Sequence, residues 1–380
     1  MSDKSLKNFY NQAVVEQIAA GIAGVYKSFK RDAFVAESMS QLLSLELKAR
    51  AFCISAALRK YLPQDYAEAI RILVQSMGHD NGSGGVEGMD GFRYLPFLNF
   101  LEKYGLDDPE LSMKTFPQMT KYFSGEFAIR PYLLLHRDLA VAAANQWSKD
   151  QDWRVRRLAS EGMRPRLPWG MRLKEFVVDP APILPILDRL FNDPHPVVRR
   201  SVANSLNDIS KDHPRLAVQI AARWLKENNT EEVRQMVSHG LRTLRKKGDK
   251  ATSDLLGLAH GVAVKLIAFV LEKESVRLGE TIGFNLTLVS EEKQSIRLVV
   301  HYAVHHQRKN GTIAPKTFKL AERDIKSGEK ITFSGKHSFK EITTRRYYAG
   351  KHKIEVIVAG VSCGNKEFIL HPVGSIFGPS

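Results

Sequence analysis

The chain has 380 residues, with 56 Lys and Arg against 41 Asp and Glu, a formal charge of +15 and 43% apolar residues. This length and apolar content are typical of two globular domains and exclude a disordered chain. Two distant cysteines, Cys53 and Cys363, exclude a disulfide framework and a structural zinc site, and no apolar run reaches the roughly 20 residues of a membrane helix. We therefore expect a soluble, cytoplasmic protein with no membrane-spanning segment.

The positive charge indicates a polyanionic partner, because Lys and Arg displace the counterions of a polyanion when they bind it. Charge alone leaves nucleic acid, an anionic membrane surface and an acidic protein open. The net charge is +7 across residues 1–260 and +8 across residues 261–380. The second part is therefore the more basic one per residue.

The first part of the chain has helical periodicity. Apolar residues recur at spacings of three and four from Leu42 to Leu58, which predicts one amphipathic helix there. A short motif recurs three times, each time after a polar segment that contains acidic residues. Its copies are Val155-Arg156-Arg157, Val198-Arg199-Arg200 and Val233-Arg234. Spacings of about 35 to 45 residues are those of paired-helix HEAT-type repeats. We predict an α-solenoid over residues 1–262, with each Val in the core and each Arg either structural or bound to a partner.

The second part alternates apolar and polar residues. Such runs surround Phe284, Val300 and Val356, and turn signals such as Asn310-Gly311 and Ser327-Gly328 separate them. Period-two alternation between such turns predicts about seven antiparallel strands. We expect residues 263–380 to form a small β-sandwich of immunoglobulin type, although the buried Cys-Trp-Cys signature of antibody domains is missing. His301, His305 and His306 lie in this part, without the nearby Cys or carboxylate pairs that would favour a metal site.

Trp169 and three acidic residues are the candidates for chemistry. Trp169 follows two prolines and two arginines in a segment that cannot be helix interior, where an aromatic ring suits stacking on a base or sugar. Glu161 lies at helical spacing from arginines, so salt bridging is the competing interpretation. Glu126 is expected to pair with Arg130 or to begin a helix, whereas Asp208 ends a predicted helix, where an acid opposes the helix dipole.

Two stretches of the helical part carry a resemblance to a known family. Residues 156–169 read RRLASEGMRPRLPW, and residues 193–214 read DPHPVVRRSVANSLNDISKDHP. This text resembles the AlkC family of bacterial DNA alkylation-repair glycosylases, which are relatives of AlkD with HEAT-like repeats. A subset of that family carries a C-terminal immunoglobulin-like domain, which the β part resembles.

The resemblance implies a function and a set of site residues. Family members hydrolyse the N-glycosidic bond of N-methylated bases, chiefly 3-methyladenine and 3-methylcytosine, in duplex DNA during base excision repair and without deep base flipping. Where the family's motifs match this sequence, the active-site acids of the family correspond to Glu126, Glu161 and Asp208, and its aromatic wall corresponds to Trp169. A cationic base is already a good leaving group, so carboxylates need only stabilise the developing charge on the sugar and position water. No cofactor or metal is implied, and the family favours a monomer.

The surrounding arginines are predicted to bind DNA phosphates. In the helical part these are Arg156, Arg157, Arg164, Arg166, Arg199 and Arg200. In the β part, Arg308-Lys309 and Arg345-Arg346 lie at strand connections, where a solvated basic surface is the competing interpretation. Because no Lys nucleophile is indicated, we expect hydrolysis without strand cleavage.

Two other classes of function also fit this sequence. Solenoids are more often binding modules than enzymes, so a noncatalytic scaffold for nucleic acid or acidic protein is one alternative. A protein that recognises alkylated DNA without cutting it is the other. Carboxylates among the predicted phosphate-binding arginines favour the enzyme, because they repel phosphate and would only weaken the binding of nucleic acid by a scaffold.

Overall fold

The computed structural model describes residues 6–77, 88–259, 263–342 and 346–372. The chain divides into two compact units, Met1–Gly240 and Leu241–Ser380. Residues just after Gly240 group with the strands, since Arg245 pairs with Glu322 at 3.0 Å and the Ala259 amide donates to the Arg297 carbonyl at 3.0 Å. The predicted boundary between residues 262 and 263 remains a prediction. No helix among the described residues is both long and apolar enough to cross a membrane.

The first unit is built from helices. Its α-helices are α1 (Gln12–Val25), α2 (Arg31–Leu42), α3 (Leu47–Tyr61), α4 (Tyr66–Met77), α5 (Leu95–Tyr104), α6 (Pro109–Met119), α7 (Arg130–Leu135), α8 (Arg137–Trp147), α9 (Trp153–Glu161), α10 (Lys174–Val178), α11 (Leu184–Leu190), α12 (Pro196–Ile209), α13 (Pro214–Glu227) and α14 (Glu231–Gly240). Short 3-10 helices cover Leu6–Phe9, Gly88–Tyr94 and Ala181–Ile183.

The predicted repeats are confirmed by three helices that pack side by side. α12 lies against both α9 and α14. Val155, Val198 and Val233 occupy equivalent positions on these helices, and each is fully buried. An acidic residue caps the first of these helices: the Asp152 carboxylate accepts the Arg154 amide and so satisfies an unpaired N–H in the first turn of α9.

One predicted helix is interrupted. The periodic text from Leu42 to Leu58 contains the end of α2 at Leu42 and the start of α3 at Leu47, and Leu43 between them is 64% exposed. The buried Arg50 guanidinium donates to the Leu43 and Leu45 carbonyls at 2.9 and 2.8 Å, so it satisfies carbonyls that a continuous helix would pair internally. Apolar spacing alone did not predict this break.

The described residues of the second unit form two short helices and two sheets. The helices are α15 (Arg242–Lys246) and α16 (Lys250–Leu255), and the strands are β1 (Val264–Leu271), β2 (Ser275–Arg277), β3 (Thr281–Ser290), β4 (Ile296–Gln307), β5 (Ile313–Ile325), β6 (Lys330–Ser338), β7 (Gly350–Val358) and β8 (Val361–His371). One sheet has the order β1-β3-β6 and the other β2-β8-β7-β4-β5. Neighbouring strands are antiparallel except β2 and β8, which are parallel.

The two sheets share one hydrophobic core, which confirms the predicted sandwich. The Phe284 ring of β3 lies 5.0 Å from the Tyr302 ring of β4, centroid to centroid, and so joins one sheet to the other. Burial alternates strictly along β6, as the sequence pattern requires. Gly311 and Gly328 end two predicted turn signals with φ of 77° and 67°, values that favour glycine. The described part of the unit has eight strands, against about seven predicted.

Candidate functional site

Arg164 joins two of the predicted acids. It follows the end of α9, and its Nη1 donates to Glu161 Oε1 at 2.6 Å while its Nε donates to Asp208 Oδ2 at 3.0 Å. The second oxygen of Asp208 accepts from Lys211 Nζ at 2.9 Å. Glu161, Arg164 and Asp208 are 5%, 6% and 1% exposed, so this is a buried ionic group. Asp208 lies at the C-terminal end of α12, where a negative charge is unfavourable because of the helix dipole. The neighbouring Arg164 and Lys211 cations compensate for this unfavourable position.

The third predicted acid, Glu126, is held by a different arginine. Arg157 Nη2 lies 2.7 Å from Glu126 Oε2, and the Ser124 hydroxyl donates to the same oxygen at 2.9 Å. Arg157 Nη1 in turn donates to Ser124 Oγ at 2.8 Å. Arg157 and Glu161 are four residues apart on one helix, a spacing at which side chains often pair. Arg157 pairs with Glu126 instead. The Glu126 side chain is 15% exposed, more than the other two acids.

A buried arginine brings the three acids into one electrostatic environment. Arg130 is 1% exposed, and burial, together with the nearby Arg164 charge, lowers its pKa to about 10. Asp208, Glu126 and Glu161 all act on Arg130 in the opposite direction. The side chain does not pair with Glu126 as expected but donates to main-chain carbonyls. The charges of all three predicted acids therefore act on the Arg130 guanidinium, and Glu161 and Asp208 also pair with Arg164.

Trp169 is the exposed tryptophan of this region. Its side chain is 73% exposed and its φ is +61°, which lies in the left-handed region. Trp147 and Trp224 are buried, and Trp153 stacks on the His195 ring at 4.1 Å between centroids. The loop position predicted for Trp169 is therefore confirmed. Its role as an aromatic wall remains a prediction.

A small cavity lies beside the Trp169 loop. It has a volume of about 70 Å³, and its lining includes Lys48, Asn99, Glu102, Phe127 and Trp169. Burial raises the pKa of Glu102 to about 7, and the Lys48 ammonium opposes that rise. Lys48 is an exposed residue whose ammonium is partly covered, and this partial desolvation lowers the pKa of Lys48, while Glu102 and Glu126 raise it. Sequence reasoning missed Lys48 and Glu102 because they lie on α3 and α5, far from both motif stretches.

Comparisons with known proteins decide the family. Residues 265–372 match the family model described as "Uncharacterised protein YhaZ, C-terminal Ig-like domain", and residues 183–213 match the HEAT repeat model. The "Uncharacterized protein YhaZ" of Bacillus subtilis (strain 168) is 35% identical over 356 residues, which cover 93% of this chain and 96% of the relative. The Pseudomonas fluorescens alkylpurine DNA glycosylase AlkC, solved bound to DNA containing an abasic site analog, is 34% identical with a TM-score of 0.89, and the match covers 97% of this chain and 99% of that one. This chain belongs to the AlkC family. The resemblance inferred from the two motif stretches is confirmed.

The predicted DNA-binding arginines of this AlkC-family chain have protein partners in the structure. Arg156 pairs with both oxygens of Asp193 in the next repeat, at 2.6 and 3.0 Å. This contact agrees with a structural role for the Arg of the repeated Val-Arg motif. Arg199 donates to the carbonyl of the same Asp193 at 2.6 Å. Arg164 is the buried link between two acids. The remaining partners are those of Arg157 (Glu126), Arg166 (Asp212) and Arg200 (His239). DNA binding by these side chains stays a prediction, and Arg200 is the exposed member of the set.

The basic positions of the β unit are partly described. Arg308 and Lys309 are exposed at the connection between β4 and β5. Arg346 is exposed with its guanidinium 5.9 Å from the Tyr348 ring, whereas Arg345 lies outside the described residues. His305 Nε2 lies 2.6 Å from Glu355 Oε2. Across the described ranges, no group of three or more His, Cys, Asp or Glu side chains is suited to a metal ion.

Proposed function

We propose that this AlkC-family chain is a DNA glycosylase that hydrolyses the N-glycosidic bond of cationic N-methylated bases, 3-methyladenine and 3-methylcytosine, in duplex DNA. The relative that it matches over nearly its whole length is an alkylpurine DNA glycosylase bound to DNA. The observation that carries the proposal is the set of three acids held by arginines near the exposed Trp169 in a chain of net charge +15. We propose that the chain acts as a monomer in base excision repair.

In the proposed reaction the bond from C1′ to the base nitrogen breaks and its electron pair neutralises the cationic base. Positive charge then develops on the sugar, and a water oxygen bonds to C1′ while its proton passes to a carboxylate. We assign stabilisation of that charge and positioning of the water to Glu161 and Asp208, with Glu126 beside the lesion. Ion pairs fix these carboxylates before substrate arrives, so little reorganisation is needed in the transition state. The base stays in or near the duplex, without deep flipping.

The Trp169 side chain is assigned to packing against the sugar and excluding bulk water. An exposed ring on a loop is available to a ligand, and a drier site strengthens the interactions of nearby charges. For the β unit we propose DNA contact through exposed basic residues such as Arg308 and Lys309.

A noncatalytic HEAT-repeat protein is the second candidate, and the burial of Asp208 favours it. Both oxygens of that carboxylate already accept hydrogen bonds, as in a purely structural ion pair. A protein that binds alkylated DNA without hydrolysis is the third reading of the same cluster.

Incubation of the purified chain with methylated duplex separates these candidates. We expect mass spectrometry to detect released 3-methyladenine and 3-methylcytosine, and the strand to stay intact until alkali is added. Borohydride should trap no protein–DNA adduct, because hydrolysis forms no Schiff base. Selective binding to methylated duplex without released base would instead indicate recognition alone, and equal binding to unmethylated duplex without release would indicate a scaffold.

A further inference from the structure

The Trp169 loop has a backbone conformation that its own side chain does not stabilise. A φ of +61° is rarely adopted by a non-glycine residue, and the indole is 73% exposed, so burial of the ring does not hold the loop. Within the loop, the Gly170 amide donates to the Leu167 carbonyl and the Leu173 amide to the Pro165 carbonyl, each at 3.2 Å. These two hydrogen bonds lie on either side of the Trp169 carbonyl, which accepts its hydrogen bond from another segment.

Two cationic side chains supply such contacts to main-chain carbonyls. Arg130 donates to the carbonyls of Gly162 and Arg164 at 2.9 and 3.0 Å, and to that of Met171 at 2.5 Å. Lys48 Nζ donates to the carbonyl of Trp169 itself at 2.5 Å. Arg130 is fully buried, so its loss would disturb the fold, whereas Lys48 is an exposed residue of α3.

Lys48 also contacts the segment that carries Glu126. Its ammonium lies 4.3 Å from the centroid of the Phe127 ring, within the range of a cation–π contact. Phe127 follows Glu126 directly in the chain, and the Glu126 charge acts on the ammonium. One side chain therefore connects the backbone of the aromatic loop to the segment of a proposed active-site acid.

We propose that Lys48 is a positioning residue for excision: its ammonium fixes the Trp169 carbonyl against the Phe127 ring and so sets the place of the indole relative to Glu126. This inference rests on the proposed function. Without the ammonium the loop is able to leave its left-handed conformation, and the ring no longer meets the sugar at a fixed position. Excision should fall more than DNA affinity, because reaction rate depends on geometry within about 1 Å while affinity comes mainly from phosphate contacts.

Three variants of α3 test this role. Lys48→Met removes the donor but keeps an unbranched chain over Phe127, and Lys48→Arg restores a donor. Lys60→Met is the matched control, since Lys60 is an exposed lysine of the same helix paired with Glu37. In single-turnover assays we expect Lys48→Met to lower the excision rate about 10-fold, as for a lost charge-assisted hydrogen bond. Lys48→Arg should recover most of the rate, and DNA affinity should change equally in Lys48→Met and Lys60→Met.

A double-mutant cycle distinguishes positioning from general destabilisation. If Lys48 acts through Trp169, then adding Lys48→Met to Trp169→Ala lowers the rate no further. Multiplying losses in the double variant would overturn the proposal. Equal excision by Lys48→Met and Lys60→Met would overturn it as well.

A spectroscopic test does not depend on activity. In protein labelled with 5-fluorotryptophan, the Trp169 resonance in the 19F spectrum is identified by its loss in Trp169→Phe. We expect Lys48→Met to shift or broaden that resonance and Lys60→Met to leave it in place, with the buried Trp147 and Trp224 resonances unchanged in both. An unchanged Trp169 resonance in Lys48→Met refutes the positioning role. If the wild-type chain releases no methylated base, the proposed function fails while this spectrum still tests the contact.

Discussion

Replacing Glu102 with Gln should stabilise the helical unit at alkaline pH but not at acid pH. Burial raises the pKa of Glu102 from 4.5 to about 7, against the opposing Lys48 charge. The folded state therefore binds a proton more tightly than the unfolded state does. The resulting stabilisation is fully present below pH 4.5 and is lost as the pH rises through 7. A change of this size corresponds to about 3 kcal/mol as an upper limit.

Urea denaturation followed by tryptophan fluorescence measures this effect on the stability of the helical unit. All four tryptophans lie between residues 1 and 240, so their emission reports unfolding of the helical unit. At pH 8.5 we expect Glu102→Gln to raise the free energy of unfolding by up to about 3 kcal/mol, or the urea midpoint by about 1 M. At pH 5 the two proteins should unfold at nearly the same urea concentration. The exposed carboxylate of Glu227 provides a matched control as Glu227→Gln.

The pH dependence of the difference decides the outcome. A gain in stability of the same size at pH 5 and pH 8.5 would mean that the Gln side chain packs better, without any role for the carboxyl charge. No gain at pH 8.5 would mean that ionised Glu102 carries no cost in its cavity. Either result would refute the reasoning about burial.

Three further predictions concern the ion pairs, the buried histidine and the basic loop. Arg164→Met leaves two buried carboxylates without their shared cation and should cost about 3 to 5 kcal/mol in the same urea titration. Asp212→Asn, which removes the partner of Arg166 in an exposed ion pair, should cost about 1 kcal/mol or less, and equal costs of the two substitutions would contradict the buried arrangement of Arg164. Burial lowers the pKa of His301 to about 4, so its stabilising contribution is present above pH 6.5 and is lost toward pH 4, by up to about 3 kcal/mol. Hydrogen exchange in β4, corrected for intrinsic rates, should therefore accelerate from pH 7 to pH 5 in the wild type and less in His301→Gln; identical behaviour of the two would oppose this. Replacing Arg308 and Lys309 with Ala should reduce the slope of log affinity against log salt by about 1 to 2, and an unchanged slope would exclude DNA contact by this loop.

The repeats and the sandwich could be predicted because each depends on local periodicity. Val155, Val198 and Val233 recur in the same text and are all buried in neighbouring helices. The alternation around Phe284 and Val300 likewise corresponds to paired strands that face one core. Patterns of this kind are set by which face of an element must be buried, so they can be read from one segment at a time.

The candidate site could be predicted only in part, because its contacts join distant segments. The motif stretches contain Glu161, Arg164 and Asp208, which the structure joins as one ionic group. Arg157 pairs with Glu126 rather than with Glu161 because the segment before α7 brings Glu126 close to α9. Helical spacing does not predict contacts between such separate segments. Lys48 reaches Trp169 from α3, 121 residues away along the chain, so no local pattern indicates that contact.

Excision by Glu161→Gln, compared with its affinity for methylated duplex, tests the central claim most directly. Gln keeps the shape of the side chain but removes the charge that is proposed to stabilise the sugar. The control is Glu175→Gln, an exposed acid of the same unit paired with Arg137. We predict that Glu161→Gln lowers the single-turnover rate by about 100-fold while its DNA affinity stays within about threefold of the control. An unchanged rate, or equal losses in rate and affinity, would contradict the assignment of this carboxylate to the chemical step.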